Sequence, residues 1–337
     1  MSDLRHHGDV DAAPGLQDFA VNVRGSAPPL WLRERLVAAL ERLGTYPSQA
    51  DDRRAREQVA ARHGRAPDEV VVLNGAAEGF ALLPSLRPRL AAVLHPSFTE
   101  PEVALRDAGV PLIRVMPGER VPDDADLVVV GNPTNPTSEL HDADTIMALA
   151  RPGRVLVVDE AFMDAVPGER ESLAGRDETG LLVLRSLTKT WALPGLRAGY
   201  ALGAPDLLAR LTRHRPHWPV GTLVLEAVTA CAEPAAVAEA EDVARQYARH
   251  REWLTARLKE LPRVHVHEPA AAPFLLIRVH DGERVRQELR DRGIAVRRGD
   301  TFPGLTTDHL RLAVREPDLC TDLLAALAEL TTEVLTP

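Results

Sequence analysis

The residues with the clearest potential for chemistry lie around Lys189. Only two of the forty basic residues are lysines, Lys189 and Lys259, and the others are arginines. A lysine amine can lose its proton and attack a carbonyl carbon, whereas a guanidinium stays protonated. Ser186, Thr188 and Arg197 lie close to Lys189 in the sequence, and this set suits a lysine that forms an imine with a cofactor whose phosphate the hydroxyls and the arginine hold. A P-loop is not expected because its Gly-rich signature is absent, and Lys259 is expected to be a surface lysine.

Small residues at positions 75–77 suit the binding of a phosphate. The segment Asn74-Gly75-Ala76-Ala77 follows an apolar run and leads into a predicted helix. Such a turn presents free N–H groups and the positive end of a helix dipole, although it is equally typical of a tight connection between a strand and a helix. Phe98 follows the next apolar run. Its ring can stack on a flat ligand, or it can belong to the core.

Two further apolar runs end in residues that suit a ligand. The first is followed by the loop 131–138, in which Asn132 and Asn135 each precede a proline. Because proline restricts its own backbone and that of the preceding residue, we expect an extended, pre-set loop, which is either a stiff turn or a ligand-binding segment. The second run ends at Asp159, where a carboxylate is costly unless it meets a cation or hydrogen-bond donors. Asp159 either caps the next helix or pairs with a positively charged ring nitrogen.

The runs that precede these residues predict the strands of a parallel sheet. Each is apolar throughout, as in strands that helices cover on both faces, and they span residues 70–73, 91–94, 127–130, 155–158 and 181–184. Their alternation with helical segments predicts a three-layer α/β domain. In such sheets the ligand binds beyond the carboxyl ends of the strands, so the residues above are expected to converge.

The remainder of the chain predicts a smaller α+β domain. A helix over residues 31–43, ended by Gly44, precedes the sheet, and a long helix over residues 233–261 follows it. Strands over 274–279 and 310–314 then alternate with a helix over 283–292 and a closing helix from Pro317.

Composition argues against several classes of protein. The 337 residues include 40 Lys and Arg against 49 Asp and Glu, with a formal net charge of −9, and an acidic balance disfavours nucleic-acid binding. No apolar run approaches the roughly 20 residues of a membrane helix, and the polar N-terminal residues predict a cytoplasmic protein. Cys231 and Cys320 lie far apart in the sequence, so neither a metal site nor a disulfide framework is predicted.

The order of these features resembles the fold-type I pyridoxal-5′-phosphate (PLP) enzymes of the aminotransferase class I/II superfamily. The resemblance runs from Asp18 to Leu330, and its densest motif is Ser-Leu-Thr-Lys-x5-Gly-Leu-Arg-x-Gly-Tyr, which begins at Ser186. It implies an α/β, three-layer PLP-dependent transferase fold with a mostly parallel central sheet and a smaller α+β domain. The domains expected are an N-terminal segment over residues 1–40 that joins the small domain, a large PLP-binding domain over 41–210, and an interdomain helix with the small C-terminal domain over 211–337.

The resemblance also implies a role for each candidate residue. Lys189 would bind the cofactor covalently and move protons at the substrate Cα. Asp159 would keep the pyridine nitrogen protonated, Asn135 would donate to the ring oxygen O3′, and Phe98 would stack on the ring. The phosphate would be held by Gly75, Ala76, Ala77, Ser186, Thr188 and Arg197, with Tyr46 reaching in from the other subunit of a homodimer with shared active sites. A tyrosine before a proline, as at Tyr46, is also a common turn residue.

Two positions depart from the family pattern. Phe162 stands where a tyrosine is usual in the cofactor site, so one hydroxyl donor is missing, and Ser138 stands where a glycine usually ends the loop. Within the superfamily, three features resemble the threonine-phosphate decarboxylase branch, whose near relative is histidinol-phosphate aminotransferase. These features are His7-Gly8-Asp9, the segment 18–23 with Tyr46-Pro47, and Phe162 followed by Met163-Asp164.

The substrate contacts are expected from Asn22, Arg311 and Arg315. The segment 311–315 resembles the one whose first arginine binds the substrate carboxylate, and strand alternation would place Arg311 and Arg315 on one face. Two guanidinium groups there suit a substrate with a carboxylate and a phosphate, although they can also form a solvated strand pair. Arg297 and Arg298 are weaker candidates because arginine is so abundant in this chain.

The expected reaction is the decarboxylation of O-phospho-L-threonine to aminopropanol phosphate, a step of cobalamin biosynthesis. The alternatives are an aminotransferase that acts on histidinol phosphate or another amino acid, and a non-catalytic PLP-binding scaffold. PLP breaks the Cα bond that stands perpendicular to its ring, so the orientation of the substrate decides between the reactions.

Overall fold

The computed structural model describes residues 4–332, which contain twelve strands and eleven α-helices. The strands are β1 (Gln17–Phe19), β2 (Val70–Leu73), β3 (Ala91–Leu94), β4 (Leu112–Val115), β5 (Leu127–Gly131), β6 (Val155–Asp159), β7 (Leu181–Ser186), β8 (Gly199–Gly203), β9 (Val264–Val266), β10 (Phe274–Val279), β11 (Ile294–Arg298) and β12 (His309–Ala313). The helices are α1 (Gly8–Asp11), α2 (Leu30–Leu40), α3 (Gln49–His63), α4 (Ala76–Leu82), α5 (Glu100–Asp107), α6 (Ala143–Met147), α7 (Pro205–Thr212), α8 (Thr222–Cys231), α9 (Pro234–Lys259), α10 (Gly282–Asp291) and α11 (Thr321–Thr332).

A seven-stranded sheet in the order β2-β8-β7-β6-β5-β3-β4 forms the centre of the large domain. Strand β8 runs antiparallel to both of its neighbours, and the other pairs are parallel. Alternate residues enter two separate cores, as Val128 and Val130 do on one face and Leu127 and Val129 on the other. This burial on both faces is why the strands are apolar throughout. The predicted three-layer fold is confirmed.

Sequence patterns missed two strands of this sheet. Strand β4 lies at the edge, where Leu112 and Arg114 are half-buried and Ile113 is 40% exposed, so its residues are not uniformly apolar. Strand β8 is only five residues long and has a glycine at each end. The helix predicted over residues 31–43 ends at Leu40, because residues 41–44 form a tighter turn in which Leu43 N–H donates to Leu40 O.

A five-stranded sheet in the order β1-β11-β12-β10-β9 forms the small domain. Strand β1 pairs in parallel with β11, so residues 17–19 of the N-terminal segment belong to this sheet. The strands near residues 274 and 310 and the helix near residue 283 occur where expected, whereas the short β1, β9 and β11 were not predicted. Leu254 and Leu258 of the long helix α9 pack into the core of this domain. Within residues 4–332 no helix combines the length and the apolar character needed to cross a membrane.

The topology brings the polar strand ends together. Strands β2, β3, β5, β6 and β7 point in one direction, so their carboxyl ends lie along one edge of the large sheet. The N-terminal segment and the small sheet approach this edge through hydrogen bonds such as those from Arg311 to Asn135 and to Ala20 O. A cavity bounded by all three parts results.

Candidate functional site

A cavity of about 520 Å³ contains most of the predicted site residues. It is lined by residues from the carboxyl edge of the large sheet, the N-terminal segment and the small sheet. The predicted residues in its wall are Asn22, Ala76, Ala77, Phe98, Asn135, Asp159, Phe162, Ser186, Thr188, Lys189, Arg197 and Arg311. A second cavity of about 920 Å³ contains none of them.

Lys189 lies in the turn that follows β7 and extends into the cavity. Burial, together with the positive charges of Arg311 and Arg197, lowers the pKa of its amine to about 8, and Asp159 and Asp9 oppose that shift. A lysine with this pKa has a substantial neutral fraction near neutral pH, as a nucleophile or a base requires.

Asp159 is the last residue of β6, the strand beside β7. One of its carboxylate oxygens accepts a hydrogen bond from Ala161 N at 3.0 Å. Burial raises the pKa of Asp159 to about 6; the charge of Glu160 also raises it, whereas the hydrogen bond from Ala161 and the charge of Lys189 lower it. No α-helix starts at this residue, so the cap interpretation is wrong. Asp159 instead faces the cavity as a carboxylate that a cationic ring nitrogen would stabilise.

The phosphate corner is built from the turn before α4 and the loop after β7. Gly75 has φ +77°, and a Cβ there would lie 3.2 Å from Nη2 of Arg197, so the glycine leaves room for the guanidinium. The hydroxyls of Ser186 and Thr188 are 2.7 Å apart. The first residues of α4, Ala76 and Ala77, complete the wall. Hydroxyls, a guanidinium and helical N–H groups are the donors that phosphate requires.

The loop 131–138 is not the extended segment that was predicted. It turns back on itself, and Ser138 N–H donates to Thr134 O while Thr134 N–H donates to Glu139 O. Both Asn–Pro peptide bonds in it are cis. The turn aims Asn135 at the cavity, where its Oδ1 accepts a 2.6 Å hydrogen bond from Nη1 of Arg311.

Ser138 adopts a backbone conformation that favours glycine, with φ +66°. Its hydroxyl oxygen compensates by accepting hydrogen bonds from the N–H groups of Ala271 and Ala272, at 3.1 and 2.8 Å. The departure from the family pattern at this position therefore has a structural reason. The serine joins the loop to the segment before β10, where a glycine offers no side chain to do so.

Two phenylalanines form aromatic walls. Phe98 lies between His7 and Phe80, with ring centroids 5.4 and 5.9 Å away, and it faces the cavity. Phe162 is buried against Phe274 at 4.9 Å, and Nζ of Lys189 lies 5.9 Å from its centroid. Phe162 therefore contributes an apolar ring to this part of the cavity wall.

Three predicted residues do not line the cavity. Arg315 lies beyond the end of β12, so strand alternation does not extend to it, and its guanidinium donates to the carbonyls of Asp18, Val21 and Val23. The prediction that it faces the substrate with Arg311 is wrong. Gly75 lies just behind the wall, under Arg197. Tyr46 is 73% exposed and stacks on Trp218 at 4.3 Å, outside the cavity.

The structure also places in the cavity wall residues that the sequence ranked low or to which it gave no contact in the site. Arg297 lies in the wall beside Arg311, is buried, and donates to His6 O at 2.6 Å and to Oγ1 of Thr301 at 2.7 Å. Arg297 was ranked low because arginine is abundant in this chain. Its position at the end of an apolar run, two residues before a glycine, is the sequence feature that indicates a role in the site. The segment 7–9 also lines the cavity.

Arg311 and Asn22 are prepared for a ligand. Arg311 is buried, and burial, followed by the charge of Arg297, lowers its pKa to about 9, so it stays charged at neutral pH. Its Nε has no hydrogen-bond partner within the described residues. Asn22 is only 6% exposed, and neither its Nδ2 nor its Oδ1 has a hydrogen-bond partner among residues 4–332. Buried polar groups normally find partners, so these atoms suit contacts with a bound molecule.

The donor set fits PLP. A half-buried amine, a carboxylate on the neighbouring strand, a phosphate corner and aromatic walls meet in one cavity. Among residues 4–332 no group of histidine, cysteine, aspartate and glutamate side chains is placed to hold a metal ion. Lys189 would hold the cofactor, Asp159 its ring nitrogen, and Ser186, Thr188 and Arg197 its phosphate.

Comparison with known proteins identifies the family. The family model described as aminotransferase class I and II matches residues 22–327. A histidinol-phosphate aminotransferase of Mycobacterium tuberculosis is 54% identical over 98% of this chain and 91% of its own length. A threonine-phosphate decarboxylase of Salmonella typhimurium is 30% identical over 95% of this chain and 92% of its own length. Among solved structures, an L-threonine-O-3-phosphate decarboxylase from Porphyromonas gingivalis has a TM-score of 0.84 at 23% identity, covering 94% of this chain and 99% of that one. The chain therefore belongs to the aminotransferase class I and II family and is a PLP-dependent enzyme.

Proposed function

We propose that the enzyme transfers the amino group of a phosphorylated amine, histidinol phosphate, to a 2-oxo acid. The observation that carries the proposal is that one cavity holds both the Lys189 amine and two buried guanidinium groups, those of Arg297 and Arg311. The 54% identity to a protein named histidinol-phosphate aminotransferase supports it further. The decarboxylation expected from the sequence is less well supported, because the decarboxylase relative is only 30% identical.

Bound PLP would withdraw electrons from the substrate Cα, and the protein must then move one proton there. Lys189 is suited to that step because its pKa of about 8 lets the amine both accept and return a proton near neutral pH. Asp159 remains mainly ionised above pH 6. Its negative charge would keep the ring nitrogen of the bound cofactor protonated.

Arg311 accounts for an anionic substrate, and Arg297, which also pairs with the buried Asp11 at 3.3 Å, adds positive charge in the same cavity wall. Histidinol phosphate has a phosphate but no carboxylate, whereas the 2-oxo acid has a carboxylate. A single cationic pocket near Cα can therefore bind the anionic group of each substrate in turn. Guanidinium groups bind both kinds of anion in a bidentate manner. Arg311 is held in place by its hydrogen bonds to Asn135 Oδ1 and Ala20 O, both 2.6 Å long. Such pre-organisation favours tight binding.

Decarboxylation of O-phospho-L-threonine is the second candidate. The observation that favours it is the position of His7, Gly8 and Asp9, which carry the resemblance to the decarboxylase branch and lie in the cavity wall. Paired arginines also suit a substrate that carries both a carboxylate and a phosphate.

One experiment separates the two reactions. The PLP-loaded protein is incubated with histidinol phosphate or with O-phospho-L-threonine, each with 2-oxoglutarate, and glutamate and carbon dioxide are measured. Glutamate formation from histidinol phosphate is the expected result. Release of carbon dioxide from O-phospho-L-threonine without glutamate would overturn the proposal. Lys189→Ala is the control, and turnover that survives it would place the chemistry elsewhere.

A homodimer with shared sites is also part of the proposal. Tyr46 projects from the surface rather than into its own cavity, and the exposed Leu40 and Leu43 lie near it in the sequence. Co-expression of Lys189→Ala with Tyr46→Ala tests the arrangement, because a mixed dimer has one site with both residues intact. Activity above that of either variant alone is expected, and its absence would contradict a shared site. A cytoplasmic location stays a prediction.

A further inference from the structure

The two strand ends that carry Asp159 and Lys189 have charged residues on their other face. Asp159, the last residue of β6, faces the cavity, whereas Glu160, which follows it and donates its N–H to Leu184 O of β7 at 2.9 Å, is fully buried away from the cavity. On β7, Ser186 faces the cavity, whereas Arg185 lies on the opposite side. This alternation follows from the pleat of a strand. Glu160 and Arg185 meet behind the site, with Nη1 of Arg185 donating to Oε2 of Glu160 at 3.1 Å.

Arg185 gathers carboxylates from several segments. Its Nη1 also donates to Oε2 of Glu169 at 2.8 Å, and its Nη2 donates to Oδ1 of Asp164. Arg62, from helix α3, donates to Oδ1 of Asp164 at 3.1 Å and to Oε1 of Glu169. We call these five residues the Arg185 cluster. It joins β6, β7, α3 and the segment 164–169.

Most of the Arg185 cluster is isolated from water, although the side chain of Glu169 is 26% exposed. The side chains of Arg185, Glu160 and Asp164 are 1%, 0% and 3% exposed. Glu160 is held further by Leu173 N–H at 2.6 Å and by the hydroxyl of Ser172 at 2.7 Å. Buried charges tolerate little displacement, because separating one partner leaves an uncompensated charge in a low-dielectric interior. The ends of β6 and β7 are therefore tied to each other and to the segment behind them.

We propose that Arg185 is a positioning residue for the cofactor site, which sets the separation of Asp159 and Lys189 by clamping the two strand ends from behind. The inference rests on the proposed roles of Asp159 and Lys189. It does not depend on whether the enzyme is an aminotransferase or a decarboxylase. The cluster itself touches neither cofactor nor substrate, so its effect passes through the backbone of β6 and β7.

The test compares Arg185→Met with Arg154→Met. Arg154 is a matched control because it is also buried, immediately precedes β6 at the other end of that strand, and donates to the carbonyls of Ala125 and Leu149, both at 2.8 Å. The dissociation constant of PLP is measured by titration of the unloaded proteins, below their unfolding temperatures, with thermal unfolding recorded for each. Arg185→Met should bind PLP about tenfold or more weakly than the wild type, because the loss of contacts that hold binding residues in place commonly weakens affinity by that much. Arg154→Met should bind PLP like the wild type despite reduced thermal stability.

A conservative variant covers the case in which Arg185→Met does not fold. Arg185→Lys keeps the charge but cannot hold three carboxylates in a fork, so it should bind PLP more weakly than the wild type and more tightly than Arg185→Met. Wild-type affinity in a folded Arg185 variant, or an equal loss in Arg154→Met, would overturn the proposal. Wild-type PLP affinity in both Lys189→Ala and Asp159→Asn would instead contradict the proposed roles of those two residues. That result is distinguishable from a failure of the Arg185 proposal, because it is measured in different variants.

Discussion

Replacement of Arg311 by methionine should remove anion recognition while leaving the fold intact. Methionine has a similar length and suits the buried position, where Arg311 lies 5.4 Å from the ring centroid of Phe274. The variant loses the 2.6 Å hydrogen bonds to Asn135 Oδ1 and Ala20 O. It also loses the free Nε, which has no hydrogen-bond partner within the described chain.

The magnitude follows from the hydrogen bonds that this guanidinium would donate to the substrate. A hydrogen bond to a charged group contributes about 1.5–3 kcal/mol, and about 1.4 kcal/mol corresponds to a factor of ten. Removal of a bidentate contact with a carboxylate or a phosphate therefore costs about 3–6 kcal/mol, which corresponds to a fall in kcat/KM of about a hundredfold to about twenty-thousandfold. The same fall is expected for histidinol phosphate and for 2-oxoglutarate, because both anions would use this guanidinium in turn.

Arg315→Met is the matched control. Arg315 is also held by carbonyl oxygens, including that of Val21 at 2.7 Å, but it lies outside the cavity. Steady-state kinetics should show a much smaller fall in kcat/KM for Arg315→Met than for Arg311→Met, because Arg315 touches the site only through the carbonyls of Val21 and Val23. The main loss in Arg315→Met should appear in thermal unfolding. A kcat/KM for Arg311→Met within a few fold of the wild type would refute the assignment, as would an equal fall in both variants.

Three further predictions follow from the site. The Lys189 amine, whose pKa is lowered to about 8, must be neutral to add to the cofactor aldehyde. The rate of PLP uptake by the unloaded protein should therefore rise about tenfold per pH unit below pH 8 and level off above it. Stopped-flow absorbance measures this rate, and a pH profile without a bend near pH 8 would contradict the prediction. Asn22→Leu should stabilise the unloaded protein by about 1 kcal/mol or more, because it removes a buried polar group without partners among the described residues. The same variant should have a higher KM. A lower stability in denaturant unfolding would show that the amide of Asn22 has hydrogen-bond partners. Ser138→Ala should destabilise the protein by about 1–3 kcal/mol, because it loses the hydrogen bond from Ala272 and keeps φ at +66°, whereas Ala271 N–H retains its 2.7 Å hydrogen bond to Ser138 O. Ser138→Gly should be less destabilising, because glycine tolerates this φ. Equal losses of stability in the two variants would show that the backbone conformation contributes nothing.

Sequence patterns identified the parts of the site that depend on local order. The apolar runs of β5, β6 and β7 are recognisable because helices cover both faces. Strands β6 and β7 end directly at the candidate residues Asp159 and Ser186, and β5 leads into the loop that contains Asn135. The turn at Gly75 and the motif around Lys189 are likewise contiguous stretches whose chemistry depends on near neighbours. Asp159, Ser186 and Lys189 lie in the cavity wall, and Gly75 lies directly behind it.

Errors arose where a conclusion required knowing how an element ends. Alternation predicted that Arg315 shares a face with Arg311, but β12 stops at Ala313 and the chain then turns toward the N-terminal segment. Arg297 was discounted because arginine is abundant, although it is buried in the cavity wall. Residue type alone does not distinguish a buried arginine from a solvated one.

Local sequence established which side chains the large sheet presents at its carboxyl edge, because strand period and turn chemistry act over a few residues. Which charges oppose them depended on the folded chain, since Arg311 meets Asn135 across 176 positions and Arg297 meets His6 across 291. Contacts of that span form only when the small sheet and the N-terminal segment pack against the large sheet. The burial of apolar surface that drives this packing is not directional, so a linear pattern does not specify which guanidinium groups the packing brings to Lys189.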